Sequence, residues 1–318
     1  NLGLTYMSIS SIVPGTFNNL TSLVGVYLQS NRLQNITSEQ LAGLQGLKYL
    51  DLSYNQISYV PAGALYNLGG LVGLSFQGNM LVNISSDMFS EQHVLMYLDL
   101  SYNRISNIAS GAFNSLSSLY SLALNGNSLS SISSDTVKGL GSISYLTLDS
   151  NKITSIASGT FSNQVYLASL SLNGNNLTSI SYDTFKGLSR LSSLYLGNNR
   201  ISSIAPGTFS SLTYLYTLDL HGNSLTSISS DTFQGLARLT YLNTSFNQFS
   251  NIAPGAFSNL TSLNSLDISM NNLSNISPLT FAGLSSLQYL FQWIDLSSNR
   301  LTTIEAGVFN SLSSLSSL

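Results

Sequence analysis

His221 stands two residues after Asp219, and Ser245 lies one 24-residue step beyond His221. A serine, an imidazole and a carboxylate are the parts of a nucleophilic triad. In such a triad the histidine takes the hydroxyl proton and the carboxylate orients the ring. The spacing argues against that chemistry here. Alternate residues of a strand face the same way, so Asp219 and His221 would share a face. They would stand two strand steps apart, roughly 7 Å, too far for a direct hydrogen bond. No oxyanion loop or pocket is suggested. The other histidine is His93, 128 residues away, so a histidine-rich metal site is not available. There is no cysteine, which excludes thiolate metal sites and disulfides. Gly-rich pieces such as Lys138-Gly139-Leu140-Gly141 lack the frame of a phosphate-binding loop. A glycosidase-like carboxylate pair would need a cleft to desolvate one partner, and an open sheet has none. The expectation is a chain with no catalytic residues, no metal and no cofactor.

Composition narrows the class further. Charged residues make up 7% of the 318, against about a quarter in ordinary proteins, while 43% are hydrophobic. Ser, Thr and Asn fill the surface instead. With a formal net charge of −3 there is no basic excess to neutralise phosphates, so no nucleic-acid partner is expected. Low charge also weakens the usual protection against self-association. No apolar run approaches the length of a membrane-spanning helix. The opening Asn1-Leu2-Gly3-Leu4 has no charged n-region and long apolar run, so no signal peptide is visible.

The elements that position these residues recur with a fixed period. Asn stands at 31, 55, 79, 103, 127, 151, 175, 199, 223, 247 and 271, every step being 24 residues, and again at 299 after a step of 28. Met7 holds the same phase before Asn31. Around each marker runs the frame L-x-x-L-x-L-x-x-N-x-L-x-x-I-x-x-x-x-F-x-x-L. Leu191, Leu194, Leu196, Asn199, Ile201, Ile204, Phe209 and Leu212 fill it completely. Leu194 and Leu196 have the two-residue spacing of a strand buried on one face. Stacked units would lay these strands side by side, and thirteen of them would span on the order of 60 Å. The Asn would end each strand pointing inward, its amide satisfying backbone groups of its own turn and the next coil. A Phe column on the far side, including Phe89, Phe113, Phe161, Phe185, Phe209, Phe233, Phe257 and Phe281, reads as core.

This frame closely resembles the leucine-rich repeat in its 24-residue form, common in extracellular receptors and matrix proteoglycans. Turns such as Ala205-Pro206-Gly207-Thr208-Phe209 are similar to those of the variable lymphocyte receptors. The resemblance covers essentially the whole chain. It implies an α/β-type repeat solenoid, a single domain over residues 1–318. That solenoid would be a horseshoe with a concave parallel β-sheet of about 13 short strands and an irregular or 3-10 convex side. It also implies a non-enzymatic module that recognises a protein or glycan ligand, most often through the concave face, in an extracellular or cell-surface setting.

Two unit types alternate, so the true period is 48. One carries turns like Ile228-Ser229-Ser230-Asp231-Thr232-Phe233 and the other turns like Ile252-Ala253-Pro254-Gly255-Ala256-Phe257. The first type tends to have Gly before the marker Asn, as at Gly78, Gly126, Gly174 and Gly222. The second favours larger residues there, as at Tyr54, Tyr102 and Phe246. Duplication of a two-unit cassette accounts for this. A repeating partner, such as a polysaccharide or a neighbouring filament, would also match the resulting spacing of roughly 10 Å.

The variable strand positions supply the residues offered to a ligand. Tyr49, Tyr97, Tyr145 and Tyr241 share one phase, and Asp51, Asp99, Tyr195, Asp219 and Asn243 share another two residues on. With His221 they make an aromatic, mildly acidic strip, the candidate binding surface; the alternative is a solvated face whose tyrosines only cover neighbouring strands. Gln92 and Gln164 replace Leu of the frame and are expected to mark rearranged outer loops. Phe291-Gln292-Trp293-Ile294 lengthens the last step by four residues, with either Leu290 or Ile294 able to open the strand. The extra residues are expected to bulge, with Trp293 folded onto the array's edge or protruding as an interface anchor. Asn-x-Ser/Thr sequons stand at Asn19, Asn35, Asn83, Asn176, Asn243, Asn259, Asn272 and Asn275, about the number chance predicts. A glycan on Asn243 would obstruct the concave face.

Repeat arrays need polar caps, and Leu2 and Leu318 hold the same phase. The expectation is either a segment of a longer protein or a subunit whose uncapped ends meet copies of itself. The second case gives an extracellular filament or surface coat, a structural rather than a recognition role.

Overall fold

The computed structural model describes residues 1–284 and 293–312. It divides into two compact units, Asn1–Lys152 and Ile153–Leu318. Each is a leucine-rich-repeat solenoid built on a parallel sheet of very short strands.

In the first unit the sheet strands are Leu2–Gly3, Gly25–Tyr27, Tyr49–Asp51, Gly73–Ser75, Tyr97–Asp99, Ser121–Ala123 and Tyr145–Thr147. In the second they are Ser169–Ser171, Ser193–Tyr195, Thr217–Asp219, Tyr241–Asn243, Ser265–Asp267 and Trp293–Asp295. These are the thirteen expected. Neighbours pair in parallel with the repeat as register: Leu50 opposite Leu74, Leu74 opposite Leu98, Leu194 opposite Leu218. In every three-residue strand the central residue is buried, and most of the flanking residues are partly or fully exposed, so only three residues per coil carry the sheet. The last pairing sets Trp293 opposite Ser265 and Ile294 opposite Leu266. Ile294 therefore takes the core position, at 1% exposure. Trp293 lies in the strand rather than in a bulge on the edge, because only Ile294 of that pair completes the apolar row. Leu290, Phe291 and Gln292 of the insertion, and Leu318, lie outside the described residues.

The marker asparagines form a ladder. Asn127 Nδ2 donates to Leu124 O of its own coil and to Leu100 O of the preceding one, both at 3.0 Å. Its Oδ1 accepts the Ile105 N–H at 2.9 Å. Asn103 and Asn151 repeat this geometry in the first unit, and Asn199, Asn223, Asn247 and Asn271 in the second. The second coil served is the preceding one, not the following one, because the side chain leaves the strand end toward the N-terminal neighbour. The residue before each Asn takes a left-handed backbone, φ +52° at Tyr54 and +65° at Gly78. That turn aims the amide inward.

The alternation of unit types has a structural basis on both sides of the coil. Opposite the sheet, a second parallel ladder of two-residue strands joins each Asp-type coil to the Gly-type coil after it. Asn83–Ile84 pairs with Asn107–Ile108, Ser179–Ile180 with Ser203–Ile204, and Ser227–Ile228 with Asn251–Ile252. Phe rings stack within these pairs, with centroids 6.2 Å apart for Phe89–Phe113 and 6.0 Å for Phe233–Phe257, and also between pairs, at 6.3 Å for Phe257–Phe281. On the sheet side the Gly-type coil leans on the next Asp-type coil. The Tyr54 ring lies where a Cβ on Gly78 would be, 2.7 Å from such an atom. Tyr102 lies over Gly126 in the same way, whereas Phe246 is followed by Met270, so the pattern is not obligatory.

The outer turns differ in how one Thr column bonds. In Asp-type turns the hydroxyl accepts a backbone N–H, as Thr232 does from Ser229 at 3.0 Å. In Gly-type turns it donates to a carbonyl, as Thr208 does to Ala205 O at 2.7 Å. The rest of this side is irregular, with a 3-10 turn at Tyr66–Leu68 and one helical turn at Tyr182–Phe185.

Gln92 and Gln164 do not rearrange their loops. Both are buried, at 1% and 3%, and the turns around them keep the bonding of their neighbours, with Leu95 N–H on Gln92 O and Leu167 N–H on Gln164 O. Gln92 Nε2 donates to Leu65 O of the preceding coil at 3.0 Å. An amide of nearly the volume of Leu is tolerated where a carbonyl is in reach. His93 is exposed, as expected, and its Nδ1 lies 3.1 Å from Ser115 O.

Replacing Asn127 by Leu leaves the Ile105 N–H without its acceptor and removes one of two amide donors from Leu100 O and Leu124 O, which keep Asn103 Nδ2 and Asn151 Nδ2. With one buried group left unpaired, at about 1–3 kcal/mol, Asn127→Leu is expected to lose about 2 kcal/mol. Denaturant titration combined with amide exchange at Ile105 measures this, and a loss under about 1 kcal/mol would sink the ladder's role. Gly139 has φ +92°, and a Cβ there would meet Phe113 O at 2.3 Å, whereas Gly63 (φ +74°) has nothing within 4 Å. Gly139→Ala is therefore expected to lower the melting temperature more than Gly63→Ala, which carries only the backbone cost of about 1 kcal/mol.

Candidate recognition face

The sheet of the first unit brings three of the expected tyrosines into one row. Tyr49 and Tyr97 flank Gly73, and Tyr97 and Tyr145 flank Ser121, each in register with its neighbour. Tyr49, Tyr97 and Tyr145 are 45%, 48% and 43% exposed. Gly73 leaves a notch between the first two. The Tyr49 ring leans over it, so that a Cβ on Gly73 would sit 2.9 Å from the ring. The result is a depression of about 340 Å³ lined by Tyr27, Tyr49, Asp51, Tyr97, Asp99 and the small residues between them. Tyr27 and Tyr120 were not singled out from the sequence. Tyr120 precedes the strand Ser121–Ala123, one position outside the strand pattern. Its ring meets Tyr97 edge-on at 6.1 Å and Tyr145 at 5.2 Å, joining the row into one aromatic cluster. A hydrogen bond to Tyr120 raises the Tyr145 phenol above its ordinary value, the Tyr120 charge adding to the shift.

The acidic column has a structural task. Oδ1 of Asp51, Asp99, Asp219, Asn243, Asp267 and Asp295 each accepts the N–H two residues on, at 2.8 to 3.0 Å. Each is an Asx turn that ends the strand and starts the turn toward the marker Asn. The carboxylates expected to meet a ligand are thus already held by the backbone, and they present a fixed rather than a mobile charge.

In the second unit Tyr195, Asp219, Asn243 and Asp267 follow one another across the sheet. Tyr241 sits among them half-buried. Burial pushes its phenol up, and the charges of Asp219 and Asp267 push it further.

The Asx turn also overturns the expected 7 Å gap between Asp219 and His221. The chain leaves the strand at Asp219, whose side chain folds forward, and His221 Nδ1 lies 2.8 Å from Asp219 Oδ1. Nε2 lies 2.8 Å from Asn198 Nδ2. An amide nitrogen only donates, so Nε2 accepts and Nδ1 carries the proton. Gly197 makes the room, since a Cβ there would come within 2.3 Å of the ring. Ser245 does not join them. It is 3% exposed and its hydroxyl donates to Asn243 Oδ1 at 2.7 Å. With both ring nitrogens committed and the hydroxyl turned away, the set works as a polar clamp on the turn.

Among the sequons, Asn19, Asn35, Asn83 and Asn275 are exposed, and Asn176, Asn243, Asn259 and Asn272 are half-buried. Asn243 is further held by Ser245, through its backbone and its hydroxyl. Among the described residues no group of three or more His, Cys, Asp or Glu converges as a metal site would require.

Comparison with known proteins agrees with this geometry. A leucine rich repeat family model matches residues 1–57, 21–81, 93–153, 142–201, 189–249 and 244–291. The chain belongs to the leucine-rich repeat family. No curated protein sequence matches it. Among solved structures, a chain of the Toll–Spatzle complex of Drosophila superposes with a TM-score of 0.86 at 22% identity, over 95% of this chain and 42% of that one. A chain of the TLR13–ssRNA13 complex gives 0.61 at 22%, over 97% and 65%. A chain of the octameric complex of Latrophilin 3, Unc5D and FLRT2 gives 0.73 at 26%, over 86% and 81%. The chain thus spans less than half of the Toll chain it resembles. The leucine-rich repeat of the second complex accompanies an RNA, so the fold does not exclude nucleic acid. For this chain that expectation rests on its charge alone.

Removing the Tyr120 hydroxyl withdraws the hydrogen bond that favours neutral Tyr145. Tyr120→Phe is expected to bring the Tyr145 phenol down toward its ordinary value, read from the ring-carbon shift of labelled tyrosine against pH. An unchanged titration would break the proposed pairing.

Proposed function

We propose that this leucine-rich repeat chain is a non-enzymatic recognition module that holds a protein partner on the sheet face of its first unit. The observation that carries the reading is the notched tyrosine row, Tyr49 and Tyr97 on either side of Gly73 with Tyr145 continuing it. Tyrosine offers contact area and a hydroxyl at low entropic cost, and large side chains around a recess are the usual anchors of an interface. Asp51 and Asp99, fixed by their Asx turns, add two immobile negative charges, which suits a partner with basic residues at that spot. Tyr195, Asp219, His221, Tyr241 and Trp293 extend the same chemistry on the second unit. The complexes among the solved relatives support a partner of macromolecular size. A glycan ligand fits the tyrosine faces equally well in chemistry, but the notch with its paired carboxylates favours a protein.

The setting proposed is extracellular. No described helix is long and apolar enough to cross a membrane. The exposed sequons at Asn19, Asn35 and Asn83 hold repeat positions outside the sheet strands of the first unit and would carry glycans without covering its tyrosine row, and Asn275 is exposed on the second unit. A glycan on Asn243 would cover part of the second sheet.

Binding to a panel of secreted proteins, measured with the wild-type chain and with Tyr49→Ser plus Tyr97→Ser, tests this. A true partner is expected to lose affinity by about 30-fold or more, as for two truncated anchors. Asp99→Asn, which keeps the turn acceptor and removes the charge, is expected to act mainly on the association rate and its salt dependence. Binding that survives both tyrosine substitutions would exclude this face. Sedimentation as long polymers would favour assembly with copies of itself.

A further inference from the structure

The cations of this chain are sorted by their place in the repeat. Arg32, Arg104, Lys152 and Arg200 directly follow the marker Asn, whereas Arg190 and Arg238 occupy another position, 48 residues apart. Tyr166 and Tyr214 hold that same position in the alternate coils, so one column of the second unit reads Tyr166, Arg190, Tyr214, Arg238. Each guanidinium stacks on the tyrosine one coil before it. Arg190 Cζ is 4.9 Å from the Tyr166 ring centre, and Arg238 Cζ is 4.3 Å from that of Tyr214. Tyr166 and Tyr214 are 52% and 48% exposed, and both arginines are exposed.

Neither arginine is used by the protein's own acids. Among the described residues no ion pair within 4 Å reaches Arg190 or Arg238. The acids of this unit hold other places in the repeat, Asp219, Asp267 and Asp295 ending strands, Asp183 and Asp231 in outer turns and Glu305 at the start of another. Each guanidinium lies over a ring yet belongs to an exposed residue, so its fork of N–H groups is available to grip carboxylate or sulfate oxygens two at a time.

We propose that this column binds an acidic polysaccharide, with Arg190 and Arg238 each taking one carboxylate or sulfate and the open part of Tyr214 between them carrying a sugar ring. The argument is spacing. Coils repeat at roughly 4.8 Å, so cations two coils apart recur at roughly 10 Å. A glycan with one anion per disaccharide presents charge at that order of interval and a ring face between. A nucleic-acid strand carries a phosphate about every 3.4 Å of rise, far denser than these cations. An acidic peptide offers no fixed ring to fill the tyrosine place. The site is in the second unit and shares no residue with the tyrosine row at Tyr49–Tyr145, so either reading stands or falls alone.

Calorimetry with the whole chain tests it, using a heparin-derived sulfated oligosaccharide and a hyaluronan-derived carboxylated one; their ranking tells which anion is preferred. At least one is expected to bind, more weakly as salt rises. Arg190→Gln with Arg238→Gln is expected to weaken it by about tenfold or more, and Tyr214→Ala by several-fold. Arg190→Lys with Arg238→Lys keeps the charge but not the fork, and is expected to recover only part of the loss. Arg32→Gln with Arg104→Gln serves as the control and is expected to change little. The proposal is overturned if neither oligosaccharide binds, if the Arg190/Arg238 double substitution leaves affinity unchanged while the chain melts normally, or if a polyglutamate peptide or an oligouridylate binds more tightly than both.

Discussion

Every coil of this protein turns its backbone away from the sheet inside the hydrophobic core, where unpaired carbonyl and amide groups are costly. One side chain per coil resolves that conflict. The buried asparagine gives two N–H donors to carbonyls of two coils and accepts an amide from the earlier one. It therefore closes its own turn and fixes the distance and register to its neighbour with the same atoms. The leucine rows can face inward only because this polar thread runs between them. Gln92 follows the same logic elsewhere in the coil, where its amide replaces an apolar residue by reaching a carbonyl of the coil before.

The doublet is a consequence of how identical curves are stacked with unlike surfaces. Where Tyr54 and Tyr102 precede the ladder, their rings lie against the bare Gly78 and Gly126 of the next coil, while Phe246 is followed by Met270. Where the outer turn brings an Asp-type coil against the Gly-type coil after it, a two-residue parallel ladder and a phenylalanine stack hold them. Phenylalanine stacking also continues from Phe257 to Phe281, whereas the two-residue ladder recurs at every second contact. That makes the 48-residue unit physical, whatever its history as a duplicated cassette.

The same periodicity distributes chemistry over the surface. Residues of one phase become a column, and this chain gives each column its own character. Tyrosines and small residues alternate on the first sheet, aspartates end the strands, and tyrosine alternates with arginine on one flank of the second unit. With so few charges overall, sorting them by column lets a nearly neutral protein present separate acidic and basic lines. Recognition by such a surface depends on interval as much as on composition.

The period, the marker asparagine and the apolar frame were legible in the sequence because each is a local pattern repeated until no other fold fits. The strand phase of Tyr49, Tyr97 and Tyr145 followed from alternation alone. Other features needed the coordinates, and for a common reason: they depend on where a chain goes after a strand ends. Strand geometry put Asp219 and His221 out of reach, yet the Asx turn bends the backbone and brings them together. Trp293 read as part of an insertion, but the pairing of Ile294 with Leu266 draws it into the sheet. The stacking of Arg190 on Tyr166 and of Tyr120 on Tyr145 joins residues that are neighbours only across coils. Sequence determined which residues share a column, since phase is arithmetic; tertiary structure decided which of them touch, since that is set by turn geometry and by the space a neighbouring glycine leaves open.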